Sequence, residues 1–488
     1  MAAVSSAMLA GTAMSPKALA FDGYTPGSYL SKIDGLALLN LWGEQPESIQ
    51  QLYTLINYVL SRDQNATFAQ ISRYKKVQGF CKDHNILHLG GPMLGCVTET
   101  SAKVWVRTVH PANVEVRVTI NGSETTYGPV PSTEESDLVS IVPVTGLKPG
   151  VTYPYKVLVD GTPIPIPKHA AITSVPDSNR LRLAFGTCPH RWGLGNQKQA
   201  DLIRSREPSA LLMYGDLGAQ DKNNHVGLHR SDYQIRDLFP AWQSLSAAVP
   251  VYATWDDHDY FDNDRAGIPM GYTDVDRQKV RRVFSQAWNN PSCGFNDERG
   301  GVFLRTRFGP CDVIMLDNRY FRGLDERRFL GNEQTQWLKE QLLDCKGPFV
   351  VLSCGTMWTD HLSNGKDSWG RIDPKGREEL FQFIEEKKIP GVLLLSGDRH
   401  GATVFKIPRP SGHTFYEFEP ASLGGRTGPV KQAAGNPDAV YLIDGKYAFG
   451  EFNFDATLDD PEVHFNLIHE DGETLFELTL KQSELTPG

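Results

Sequence analysis

Val249-Pro250-Val251-Tyr252-Ala253-Thr254 runs directly into Trp255-Asp256-Asp257-His258-Asp259, and this stretch decides how the chain is read. An apolar run of this length suits a strand buried on both faces. The ionisable residues that follow are costly to bury unless they are solvated, paired or bound to cations. An exposed acidic loop is the plain alternative.

Working outward, the same arrangement recurs. Leu181–Phe185 leads into Gly186-Thr187-Cys188, and Leu211–Tyr214 into Gly215-Asp216. Val313–Leu316 leads into Asp317-Asn318-Arg319, and Val392–Leu395 into Ser396-Gly397-Asp398-Arg399-His400. Phe349–Leu352 is a further apolar run. Helical patterns fall between them, among them Glu333–Leu343, with Asn332 as its expected cap. Another follows Asp373-Pro374, a capping residue with proline at the first helical position. Strands that alternate with helices predict an α/β class and a largely parallel sheet covered on both faces. Val463–Ile468 and Thr474–Leu480 predict a closing set of strands packed against that sheet.

Ligands of open α/β sheets bind beyond the carboxyl ends of the strands. Five such ends bring a thiol, several carboxylates and two histidines to one rim. Carboxylates gathered so closely repel one another unless cations neutralise them. Oxygen donors mixed with imidazole and one thiolate suit iron, manganese, zinc or calcium. Paired metals among strand-end carboxylates are the usual means of hydrolysing phosphate esters. Each element has a blander reading. Gly215-Asp216 alone reads as a turn, Gly397–His400 as a capped helix start, and Cys188 as a buried structural thiol. Asp317-Asn318-Arg319 reads equally as a bracing ion pair or a substrate contact. The order and spacing of all five carry the joint reading.

The rest of the chain is less informative about chemistry. Residues 179–488 form the expected catalytic domain. Residues 85–178 change period from 3.6 to 2: Val114, Val116, Val118 and Ile120 alternate with polar residues, as do Tyr153, Tyr155, Val157 and Val159. With turn signals at Asn121-Gly122 and Pro149-Gly150, this predicts a small antiparallel β-sandwich. Residues 21–84 read as a helical N-terminal extension, with Ile49, Leu52, Leu55, Ile56, Val59 and Leu60 at helical spacing. Residues 1–20 end in Ala18-Leu19-Ala20, an A-x-A pattern like a signal-peptidase site, but lack a basic start. They read either as the remnant of an export signal, which implies a periplasmic or secreted protein, or as a disordered tail that leaves a cytoplasmic location open. The net charge of −9 gives no basic footprint for nucleic acid. No stretch is long and apolar enough to predict a transmembrane helix. The seven cysteines form no CxxC pair, which excludes zinc ribbons and thioredoxin chemistry.

At the strand-end motifs the chain resembles the alkaline phosphatase D (PhoD-like) family of metallophosphoesterases. The resemblance runs from about Gly90 to the C-terminus. It includes Gly91-Pro92-Met93-Leu94-Gly95, Gly186-Thr187-Cys188, Tyr214-Gly215-Asp216, Trp255–Asp259, Leu316–Arg319 and Leu395–His400. The segment Leu147–Tyr153 likewise resembles the turn-plus-tyrosine of fibronectin type III-like domains. These resemblances imply a four-layer α/β/β/α metallophosphoesterase sandwich preceded by a fibronectin III-like domain. They further imply that Cys188 binds Fe(3+), that Asp216 bridges two metals, and that Asp257, Asp398 and His400 complete the shells. Asn263 is carried over as a further ligand, His258 as the residue beside the phosphate, and Ca(2+) as the companion of iron, with Zn(2+) or Mn(2+) as alternatives. One departure is visible. Where relatives place a tyrosine ligand, this chain has Ala219, with Gln220 and Asp221 as candidate substitutes.

The expected activity is direct hydrolysis of a phosphate ester by metal-activated water, as a phosphomonoesterase or phosphodiesterase, with no covalent intermediate. His258 would protonate the leaving oxygen and Arg319 would clamp the phosphate. A phospholipase-type phosphodiesterase is the near alternative. A non-catalytic binding protein, associated with a cell-surface partner and keeping a degraded metal site, is the distant one.

Overall fold

Side-chain alternation along short strands sets the architecture. In Leu211-Leu212-Met213-Tyr214, Leu211 and Met213 enter one apolar core while Leu212 and Tyr214 enter another. Phe349-Val350-Val351-Leu352 divides in the same way, its Val350 and Leu352 entering a third. Strands apolar on both faces must be covered on both. The computed structural model describes residues 34–326, 328–363 and 365–488. The expected export signal at residues 1–20 lies outside them, as does the start of the helical extension.

All six apolar runs are strands, and they divide between two large mixed sheets. The first has the order Val251–Thr254, Ala210–Tyr214, Arg180–Gly186, Ala448–Asp455, Glu462–His469, Thr474–Lys481. Its first three strands are parallel and the rest antiparallel. The second runs Leu304–Phe308, Cys311–Met315, Phe349–Ser353, Val392–Leu395, Thr414–Pro420, Ala402–Pro408, Ala439–Ile443. There the four strands from Cys311–Met315 to Thr414–Pro420 are parallel. The single parallel sheet expected from the alternation of strands and helices is therefore corrected to two, the number of β layers that the resemblance implied. The C-terminal strands are not a separate closing layer, because they extend the first sheet by edge pairing. One core holds Leu212 and Tyr214 of the first sheet together with Val313, Val351 and Leu393 of the second, so these faces pack against each other. Helices cover the opposite faces: Val226–Leu238 and Pro240–Ser246 on the first sheet, Asn332–Leu343 and Pro374–Glu386 on the second.

Two smaller antiparallel sheets lie between His88 and Thr173. Their turn at Pro149-Gly150 is fixed by the Lys148 N–H, which donates to Tyr153 Oη at 2.9 Å. The helix Glu47–Leu60 buries Leu52, Tyr53, Ile56 and Leu60. Asn57 Oδ1 accepts from Ser231 Oγ at 2.8 Å, which fastens that helix to Val226–Leu238.

Caps follow local chemistry. Asp373 accepts from the Gly376 N–H at 3.0 Å and so starts Pro374–Glu386. Asn332 is not a cap: it is the first helical residue, and Gly331, at φ 73°, takes the capping position. No helix among the described residues is long and apolar enough to cross a membrane.

Candidate metal centre and cleft

The parallel strands of both sheets end at one place, and short loops there carry the ionisable residues. The Cys188 N–H donates to Gly215 O at 3.0 Å, which joins two of these loops. Asn318 Nδ2 donates to Asp256 Oδ1 at 2.7 Å across the two sheets. Cys188, His190, Asp216, Asp398 and His400 all have left-handed backbone, with φ between 51° and 77°. Non-glycine residues rarely adopt it, and such strain collects at functional sites.

Asp216 is the hub. One donor atom each from Cys188, Asp216 and His400 lies within 4.8 Å of the others. The same holds for His190, Asp216 and His258, and for Asp216, Asp256 and Asp257. Asp216 is fully buried, and neither of its carboxylate oxygens has a hydrogen-bond partner. Orphaned charge of this kind is strongly unfavourable in a protein interior. Burial raises the Asp216 carboxyl to about 6, opposed by His258 and reinforced by Asp256 and Asp398. Burial likewise raises Asp256 and Asp257 against the pull of Arg319. It lowers the His400 imidazole to about 3 and holds the Cys188 thiol well above its ordinary range. His400 Nε2 and both ring nitrogens of His190 are buried without partners. A buried thiol, buried imidazoles and buried carboxylates gathered about Asp216, with Asp216, His190 and His400 lacking hydrogen-bond partners, fit a cation centre.

His258 is built differently. Its Nδ1 lies 2.5 Å from Asp221 Oδ1, and the ring forms part of the cleft wall. Burial would lower its pKa, but Asp257, Asp216 and Asp221 together raise it well above the ordinary value. Asp259 is a positioning residue: it accepts from the Leu217 N–H at 2.9 Å and the Gly218 N–H at 3.0 Å, fixing the loop after Asp216.

The structure thus brings Cys188, Asp216, Asp257, His258 and His400 together. Asp398 lies on the cleft wall with its carboxylate engaged by Arg399 and by Thr356 Oγ1, the latter at 3.1 Å. Asn263 is exposed on the same wall. The phosphate clamp expected at Arg319 is corrected. That guanidinium is fully buried and already engaged by Asp256 and Asp367, 2.8 and 2.7 Å from Nη2. Asp221 does not fill the place left by Ala219, because His258 holds it. His190 was missed by the sequence reading. Its position two residues after Cys188 gives no sign that a left-handed turn aims it at Asp216.

The cleft itself encloses about 300 Å³. Its wall includes His258, His400, Lys366 and Arg426, and its apolar side chains are confined to Leu362 and Pro429 among the described residues. Glycines press the loops together: a Cβ on Gly425 would lie 2.1 Å from Cys188 O. Gly425→Ala is therefore expected to lower metal occupancy and thermal stability together, read by elemental analysis and thermal unfolding. Lowered stability with full metal content would mean that the loop contact does not set the ligand geometry.

The family model for PhoD-like phosphatase matches residues 219–482, and that for a domain of unknown function (DUF7800) matches residues 86–176. Alkaline phosphatase D of Bacillus subtilis (strain 168) is 26% identical over 213 residues, 38% of this chain. The chain spans about a third of that relative's length, 35%. Among solved structures, that of PhoD superposes with a TM-score of 0.66 at 18% identity, covering 81% of this chain and 90% of its own. Purple acid phosphatase PPD1 from yellow lupin (Lupinus luteus) seeds gives 0.59 at 13% identity, covering 80% of this chain and 74% of its own. These likenesses concern the fold. Since the phosphatase model matches over half of its residues, the chain belongs to the PhoD-like phosphatase family.

Proposed function

We propose that this chain is a metal-dependent hydrolase of phosphate esters, with its cations gathered about Asp216. The observation that carries the reading is a fully buried carboxylate whose two oxygens lack partners and which is shared by three groups of donors. Cys188, Asp216 and His400 would hold one ion, and Asp216 with Asp257 a second, with His190 as an added donor and Asp256 held behind them by Arg319. The thiolate and imidazole suit Fe(3+), or Zn(2+), at the first position. Oxygen donors suit Ca(2+), or Mn(2+), at the second. Asp398 and Asn263 are proposed to complete the shells from the cleft wall.

When bound, the cations would supply positive charge for the phosphate and an activated water for the attack. His258, oriented by Asp221, would protonate the leaving oxygen. Asp259 holds the loop that presents Asp216. The nearly all-polar cleft wall, with only Leu362 and Pro429 as apolar side chains among the described residues, offers little surface for acyl chains, which favours a small polar ester over a phospholipid. We further read the two packed sheets and their helices as a four-layer α/β/β/α sandwich, the segment 85–178 as fibronectin-like, and the protein as exported.

Stripping metal with a chelator is expected to lower turnover of a chromogenic phosphate ester by at least about 1,000-fold, the scale expected when preorganised charge stabilisation is lost. Re-addition of metal should restore it. Tightly held metal with no hydrolysis of mono- or diesters would instead support a binding protein.

A further inference from the structure

We propose that Arg426 is the phosphate clamp of this cleft and that it selects monoesters over diesters, an inference resting on the hydrolase reading above. Other arginines around the centre are already neutralised. Arg319 is held by Asp256 and Asp367, Arg322 by Asp367 at 2.7 Å, and Arg399 by Asp398. Arg426 makes no hydrogen bond or ion pair among the described residues, although its Nε is buried. It lies on the cleft wall with His258 and His400. A half-buried guanidinium without a carboxylate calls for an anion from outside the chain.

The backbone holds Arg426 in register with the metal ligands. Ser422 Oγ donates to Cys188 O at 2.8 Å, and the Gly425 N–H donates to Ser422 Oγ at 3.1 Å. Trp192 Nε1 donates to Gly425 O at 3.1 Å, and the Gly428 N–H to His400 O at 3.0 Å. A Cβ on Gly428 would lie 2.0 Å from Arg399 O. The segment carrying Arg426 is thus fastened at one end to Cys188 and at the other to His400. A clamp fixed to the ligand loops loses little entropy on gripping its target.

Selectivity follows from counting oxygens. A guanidinium fork binds two oxygens of one phosphate group. A deprotonated monoester carries two charges and three terminal oxygens, so one oxygen remains for the cations. A diester carries one charge and two terminal oxygens, so clamp and cations compete for them. Arg426 therefore rewards the third oxygen and the second charge.

The test uses full-length, metal-loaded protein with 4-nitrophenyl phosphate and bis(4-nitrophenyl) phosphate at alkaline pH. It also measures the affinity for inorganic phosphate, and the metal content. Arg426→Ala is expected to lower kcat/KM for the monoester about 100-fold, the loss typical of one preorganised donor, and to cost the diester far less. Phosphate affinity should fall at unchanged metal content. Arg426→Lys keeps the charge but not the fork and should recover only a small part. Equal losses on both esters, no loss, metal loss in both variants, or a monoester loss in Lys366→Ala in place of the Arg426 variants would overturn the clamp. Wild-type protein that binds phosphate through Arg426 yet hydrolyses neither ester would remove the hydrolase reading and leave the clamp. Hydrolysis indifferent to both Arg426 substitutions would do the reverse.

Discussion

Replacing Asp216 with asparagine is expected to lower kcat/KM on any phosphate ester by at least about 1,000-fold, on the scale of removing preorganised charge stabilisation, and to empty the metal centre. The substitution is nearly isosteric, so the loops should keep their shape while the shared anionic donor disappears. The metal-free proteins should show the opposite ranking in stability. Burial raises the Asp216 carboxyl to about 6, above its unfolded value, so the folded state binds more protons as the pH passes between the two. Stability from this group is therefore present at low pH and lost as the pH rises through 6. The loss amounts to roughly 3 kcal/mol, at 1.36 kcal/mol per unit. Metal-free wild type should thus be destabilised between pH 4 and pH 7 more than metal-free Asp216→Asn, and added metal should stabilise wild type alone. Thermal unfolding at the two pH values, with and without metal, checks this. Identical pH slopes in the two proteins would show that Asp216 carries no buried charge.

The second large effect concerns Arg319. Arg319→Ala would leave Asp256 and Asp367 buried in the low-dielectric interior, with Arg322 still facing Asp367 but only the neutral Asn318 amide still donating to Asp256. Removing one partner of a buried ion pair typically costs about 3–5 kcal/mol. A denaturant midpoint lowered by that amount is the expected result. Arg319→Lys should fall between, since an ammonium cannot bridge two carboxylates as a planar fork does. A true phosphate clamp would behave otherwise, raising KM while leaving the unfolding midpoint in place. The same experiment on Arg426 should give that second pattern.

The contrast between these two arginines shows what a sequence reveals and what it withholds. The apolar runs ending at Tyr214, Thr254 and Leu395 were legible because a doubly covered strand needs an unbroken apolar stretch, and because sites lie beyond such strands. That rule pointed to the loops that carry Cys188, Asp216, Asp257, His258 and His400, and the family resemblance singled these residues out within them. Which arginine stays free was not legible. The answer depends on Asp367, which reaches Arg319 only through the fold, and on Ser422, which fastens the Arg426 segment to Cys188. His190 escaped notice for a related reason, since its direction is set by a local left-handed backbone that no residue type announces. Asp221 was considered as a ligand, but its partner is His258. The division into two sheets was hidden from the strand–helix alternation and entered the sequence reading only through the resemblance. Strand pairing such as Arg180–Gly186 with Ala448–Asp455 joins distant parts of the chain, and local periodicity does not record register.

Anomalous diffraction from crystals of metal-loaded protein tests the central claim most directly. The account predicts two anomalous peaks flanking Asp216, each about 2.0–2.6 Å from one of its carboxylate oxygens, one of them shared with Cys188 and His400. A hydrolytically active crystal with no anomalous signal beside Asp216 would contradict it.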